Sequence, residues 1–185
     1  MKRILSICLL FLCLSGCGKD SELNMVMSFR EQLLKSNGYN FCANITADYG
    51  DSVYTFSVNC TFDCSGNMIF SVISPDSING ITGTVSGDGG GLTFDDEVLL
   101  FPLLADDQLT PISAPWIANK ALCSGYIQSC GADGENLKVI LDDSYASNAL
   151  QVEWWITKDM IPVAADISWL NRRILTIEIV SFSYL

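Results

Sequence analysis

The side chains best suited to chemistry in this sequence are its cysteines, and their spacing limits what they can do. There are eight, at positions 8, 13, 17, 42, 60, 64, 123 and 130, and no histidine accompanies them. Without imidazole, Ser-His-Asp catalysis, Cys-His catalysis and histidine-containing zinc sites are excluded. Cys60-x-x-x-Cys64 and the pair Cys123 and Cys130 match no zinc-ribbon spacing. An extended 60–64 segment holds its end Cα atoms ~13 Å apart, beyond the ~7 Å that a disulfide spans, so a Cys60–Cys64 bond requires a bend. The pairing among Cys42, Cys60, Cys64, Cys123 and Cys130 stays open, and their odd number leaves at least one thiol over. The adjacent acids Asp95-Asp96 and Asp142-Asp143 point to opposite faces of any strand and do not converge on one substrate. Asp88, Asp95 and Asp96 lack the spacing of a calcium loop. The glycine-rich run Ser86–Gly91 has no GxxxxGK pattern and reads as a hairpin, not a phosphate cradle. No catalytic residue, metal site or cofactor is expected, and the chain is read as a binding module.

Cys17 is the exception, because of what precedes it. Met1-Lys2-Arg3 supplies positive charge, Ile4–Leu14 is almost wholly apolar, and Leu14-Ser15-Gly16-Cys17 ends the run. This is the layout of an export signal, and the run falls short of the roughly 20 apolar residues that span a bilayer. Leu14-Ser15-Gly16-Cys17 resembles the lipobox of bacterial lipoproteins. The resemblance implies a diacylglycerol on the Cys17 thiol and cleavage of residues 1–16. Two or more acyl chains, at ~0.8 kcal/mol per buried methylene, hold a protein on a membrane where one chain does not. Removing residues 1–16 takes away Lys2 and Arg3 and no acid, so the net charge moves from −11 to −13. That balance repels nucleic-acid phosphates and anionic headgroups alike, so no nucleic-acid partner is expected and contact with the membrane falls to the lipid.

The remaining residues suffice for one domain of 21–185, behind a short tether of 17–20. Ser21–Ser36 reads as a helix with Leu23, Val26, Phe29, Leu33 and Leu34 at helical spacing and Gly38 beyond its end. From Tyr39 the period becomes two. A Gly50-Asp51 turn pairs Tyr49 with Ser52, and hence Phe41 with Cys60, Ile45 with Phe56 and Ala47 with Tyr54. The same register puts Cys42 and Cys60 on opposite faces. Ser65-Gly66-Asn67 turns into strand 68–74, ended by Pro75. Short strands follow at 80–85, 92–94 and 98–101, with a glycine turn over 87–91. Pro111–Cys130 reads as an inserted helix, with Pro115 in its first turn, Trp116, Ile117, Leu122, Tyr126 and Ile127 at helical spacing, and Gly131 ending it. Four strands close the chain, over 136–141, 149–157, 161–169 and 174–182. In the second of them Leu150, Val152, Trp154 and Ile156 alternate with polar-side residues, as in a sheet with one covered face.

This order of elements, with Phe70-Ser-Val-Ile-Ser-Pro75 leading to Gly80-Ile-Thr-Gly83, then Leu92-Thr-Phe94 and a Pro-flanked helix, is similar to the LolA/LolB/LppX-type lipoprotein-carrier family and to clostridial germination-type lipoproteins. The resemblance implies an α+β fold: a curved antiparallel β-sheet, or half-barrel, covered by an N-terminal helix and an inserted helix. It also implies an apolar concavity that binds lipid, acyl chains or a lipoprotein. The expected lining is Phe56, Val58, Phe70, Val72, Trp116, Ile117, Leu122, Trp154 and Ile156. In the alternative reading the domain is a scaffold that binds and stabilises a partner protein in the cell envelope or spore.

Intact-mass measurement of membrane-extracted protein is expected to show a chain that begins at Cys17 and carries acyl chains. Cys17→Ser is expected to move it from the membrane to the soluble fraction. A free Cys17 thiol on the membrane-bound form would overturn the assignment.

Overall fold

Alternation of apolar and polar residues over most of the chain produces strands, and the strands form one sheet. The structure, a computed structural model, describes residues 18–94, 97–102, 104–105, 108–146 and 149–185. Cys17 and the export segment lie outside them. Helix α1 covers Gly18–Lys35. It is followed by β1 Gly38–Asp48, β2 Val53–Asp63, β3 Met68–Ser74, β4 Thr82–Ser86, β5 Gly89–Phe94 and β6 Glu97–Phe101. A small ribbon, β7 Leu104–Ala105 with β8 Gln108–Leu109, leads through a single 3₁₀ turn, Pro111–Ser113, into helix α2, Ala114–Ser124. Strands β9 Tyr126–Asp133, β10 Asn136–Asp142, β11 Gln151–Ile156, β12 Pro162–Trp169 and β13 Arg172–Tyr184 complete the chain.

The eleven-stranded sheet runs β6-β5-β4-β3-β2-β1-β13-β12-β11-β10-β9, antiparallel throughout and not closed. It is the half-barrel, α+β architecture that the family resemblance implies. The central pairing matches the expected register residue for residue: Phe41 faces Cys60, Ile45 faces Phe56 and Ala47 faces Tyr54. The Tyr49 amide closes the turn on the Ser52 carbonyl at 3.0 Å. Cys60 is buried on the concave face, and Cys42, paired with Asn59, sits on the other, so the two cannot be bridged. The convex face carries polar ladders, such as Ser74 to Ser57 to Asn44 at 2.9 and 2.7 Å.

The concave face holds the core, and α2 lies in it. Nearly every side of α2 is buried: Ala114, Pro115, Trp116, Ile117, Ala118, Asn119, Ala121 and Leu122. A helix buried over most of its surface needs a core around it, and here only the stripe with Lys120 and Ser124 faces solvent. Its few polar atoms are met from outside. Trp154 Nε1 donates to the Ala118 carbonyl at 3.0 Å, and Tyr39 Oη donates to Asn119 Oδ1. Trp116 Nε1 reaches back to the Gly66 carbonyl in the β2–β3 turn at 3.0 Å. Helix α1 lies against β9 and α2 and buries Val26, Phe29 and Leu33, while Leu23 and Leu34, expected on the same apolar stripe, face solvent.

Two expectations are corrected. The inserted helix stops at Ser124, and Tyr126, Ile127, Cys130 and Gly131 belong to β9, paired with β10. Gly125 adopts extended backbone angles (φ −70°, ψ 165°), and the carbonyls left open behind it are taken by Arg30 from α1. The second correction concerns the glycine run. Only Gly87 and Asp88 make the turn; Gly89, Gly90 and Gly91 are strand residues. Each is suited to its place for a different reason: Gly89 has a positive φ (+123°), Gly90 lies under the Phe101 ring, and Gly91 lies close to the Leu100 side chain. A Cβ on Gly90 would fall 2.3 Å from the Phe101 ring, and one on Gly83, in β4, would fall 2.1 Å from the Gly91 carbonyl oxygen and 2.8 Å from the Phe70 ring.

Arg30 is the main polar tie between the two helices. Its guanidinium, half-buried, donates to the carbonyls of Leu122 at 2.5 Å, Gly125 at 2.7 Å and Ala121 at 3.4 Å. A cation at a helix C-terminus also meets the negative end of the helix dipole. Arg30→Met is expected to lower the free energy of unfolding by about 1–3 kcal/mol, because it removes the side-chain donor from the Leu122 and Gly125 carbonyls in a partly dry setting, the Ala121 carbonyl keeping the Gly125 amide at 2.7 Å. The urea midpoint measures this, and Arg30→Lys should recover only part of the loss.

Candidate functional site

The nine residues expected to line a concavity all lie on the concave side, and all are packed. Phe56 retains the most exposure, at 7%, and Val58 has none. Trp154 and Ile156 support α2, and Phe70 and Val72 continue the same core beneath β4. In the half of the barrel facing β10 to β13, the space is therefore taken by α2 itself. Open volume remains where α2 does not reach, beside β2 to β5.

There a cleft of about 470 Å³ is lined by apolar side chains from three directions. Phe56 and Val72, the only two of the nine that reach it, together with Leu92, supply residues from the sheet. The loop after β3 supplies Pro75, Ser77, Ile78 and Ile81, and it is held to the sheet by Val72 and Ile81, whose backbone groups bond at 2.8 Å. Thr110, Pro111 and Ile112, in the approach to α2, form a third side. Val53, Tyr54 and Thr55 complete the lining. No lining side chain carries a charge, and the few hydroxyls are the only polar groups. The volume falls in the range of small-molecule sites, roughly 300–1,000 Å³.

Sequence reasoning missed most of this lining because half of it comes from irregular segments. The usable signal was the interruption of two polar stretches by apolar residues, Ile78 and Ile81 after Pro75, and Ile112 after Pro111. The third side is fixed by Tyr49, whose hydroxyl donates to the Leu109 carbonyl just before the 3₁₀ turn. A second, smaller pocket of about 320 Å³ lies on the other side of α2, bordered by Trp116, Lys120, Cys123, Asp63 and Cys64. Within the described residues, no group of three or more acids and thiols could hold a metal ion. Asp142 and Asp143, weighed as an acid pair, are engaged in strand-end contacts with Gln128 Nε2 at 2.6 Å and the Leu150 amide at 2.8 Å. Asp95 and Asp96 lie outside the described residues.

No protein-family model and no curated protein matches this chain. Solved structures do. An uncharacterized conserved protein from Thermus thermophilus aligns over 88% of this chain and 87% of its own, with a TM-score of 0.50 and 9% identity, which establishes a shared fold. The structural neighbours also include a LolA superfamily protein from Nitrosomonas europaea, over 85% of this chain and 92% of its own, with a TM-score of 0.46 and 10% identity. LprF from Mycobacterium bovis aligns over 90% of this chain and 95% of its own, with a TM-score of 0.47 and 11% identity.

Burial, with a smaller contribution from Tyr54, raises the pKa of Tyr49 from 10.0 to about 12. A folded-state pKa above the unfolded value means that the bonded, protonated hydroxyl stabilises the fold fully below about pH 10, and that this contribution is lost as the pH climbs towards 12. Buried Tyr39 and Cys60 are pushed upward by burial as well and act in the same direction. Denaturant midpoints are expected to fall between pH 8 and pH 11. Tyr49→Phe should lower the midpoint at pH 8 and make the fall shallower.

Proposed function

We propose that this protein is a non-enzymatic, lipid-anchored domain on the extracytoplasmic face of the cell membrane, and that its cleft receives an acyl chain or a similar apolar segment of a lipid. The observation that carries the reading is the cleft of about 470 Å³ with uncharged, mainly aliphatic lining. Burying a methylene in such a site is worth about 0.8 kcal/mol, so a run of a few methylenes supplies useful affinity without any polar recognition. With no cation in the lining, an anionic headgroup has no partner inside the cleft, and the bound portion is the hydrocarbon. The shared half-barrel fold and the lipobox-like segment before Cys17 support the same reading. Among the described residues no helix is long and apolar enough to cross a membrane, and the proposed attachment is an acylated Cys17.

Organic extraction of the purified protein followed by mass spectrometry is expected to release lipid beyond that attached at Cys17. A fluorescent long-chain acyl probe should be displaced by fatty alcohols. Ile81→Trp, which fills the cleft, and Ile112→Asp, which places a charge in its wall, should each weaken the probe by about tenfold or more, or ~1.4 kcal/mol. Unchanged affinity in both well-folded variants would remove the cleft from the mechanism.

A further inference from the structure

An open sheet has two edges, and here they differ. Helix α1 lies against β9, while β6 pairs only with β5 among the described strands. Natural edge strands are usually blunted by charge, proline or bulges, because their open backbone groups recruit other chains. Within β6 none of these devices interrupts the run Val98-Leu99-Leu100, which is 68%, 60% and 79% exposed. Its ladder with β5 has no register break from Glu97 to Phe101, so the edge is regular. The alternation places Leu99 and Phe101 on the concave side with Leu92 and Gly90, and Val98 and Leu100 on the convex side with Thr93 and Gly91. Both sides of this edge therefore offer apolar contact.

One acid, Glu97, begins the strand, and the chain as a whole carries 21 acids against 10 bases. We propose that β6 is a docking edge for an extended strand of a partner protein, apolar at its centre and flanked by lysine or arginine. Backbone pairing would supply affinity, the alternate side chains would meet Val98, Leu99 and Leu100, and the basic flanks would meet Glu97 and the field of a strongly acidic chain. Charge selects this occupant. A second copy brings a net charge of −11, or −13 without residues 1–16, against an equally acidic chain, and an anionic bilayer surface is repelled in the same way. This inference does not rest on the acyl-chain reading of the cleft.

The test uses the full-length lipoprotein in neutral detergent and a fluorescent peptide with a Val-Thr-Ile-Thr-Val centre and two lysines on each side. Anisotropy is expected to show binding that weakens as salt rises from about 50 to about 500 mM. Binding should weaken at least about tenfold when the flanks are glutamate, or when proline replaces the central Ile. Leu100→Lys and Val98→Pro in the protein should have the same effect, whereas Ile112→Asp in the cleft should leave peptide binding unchanged. Leu100 is exposed enough that its replacement should leave the fold intact, which circular dichroism would verify, and so the test survives if Val98→Pro misfolds. Equal binding of lysine- and glutamate-flanked peptides would overturn the proposal. So would binding of neither peptide, or a sedimenting dimer abolished by Leu100→Lys, which would make a second copy the occupant.

Discussion

Helix α2 has almost no solvent face, and the architecture depends on giving it somewhere to be buried. A helix with Trp116, Ile117, Ala118, Ala121 and Leu122 all inside is stable only when surrounded, and the half-barrel surrounds it. Apolar burial provides the driving force but no direction. Direction comes from four polar ties: Trp154 to Ala118, Tyr39 to Asn119, Trp116 to Gly66, and Arg30 to the last turn. Each satisfies a group that would otherwise be stranded in a dry setting, and each comes from a different part of the chain. Together they fix how far α2 extends along the concave face.

The cleft follows from that limit. Where α2 lies, the concave face is core. Beyond its N-terminal end the chain arrives through Thr110-Pro111-Ile112, and proline at the turn's start removes a donor that would otherwise need a partner. The sheet continues past this point through β2 to β5, and its apolar face is left partly uncovered. A loop with Pro75, Ile78 and Ile81 borders the gap on another side. The space is therefore a consequence of a helix shorter than the sheet it covers. At Gly83 and Gly90 the missing Cβ leaves room for the Phe70 and Phe101 rings.

Much of the fold was legible because strand pairing obeys a strict period of two. The Gly50-Asp51 turn, once placed, assigned every partner in β1 and β2 and put Cys42 and Cys60 on opposite faces. The helix after Pro111 was legible as well, but its end was not. Tyr126 and Ile127 fit helical spacing from Trp116 as well as they fit a strand, and only pairing with Leu141 and Asp142 decides between the two. The Asp133-Gly134 dipeptide was the overlooked sign of a hairpin there. The glycines at 89–91 misled for the opposite reason: their composition says turn, and their pairing with Ser86, Val85 and Thr84 on one side and with Phe101 and Leu100 on the other makes them strand.

By itself, the sequence determined which side chains are apolar and on what period, how the central strands register, that imidazole chemistry is absent, and that Cys17 ends an export-like segment. These properties are local, set by neighbours a few residues away. Tertiary structure decided which apolar residues become filler and which become wall. Nine residues chosen as lining were equivalent on the sequence, and seven of them are taken up by packing around α2 or beneath β4, away from the open cleft. Void space is a property of what fails to meet across the fold. It depends on the length of one helix against the width of one sheet, a comparison that no local pattern contains.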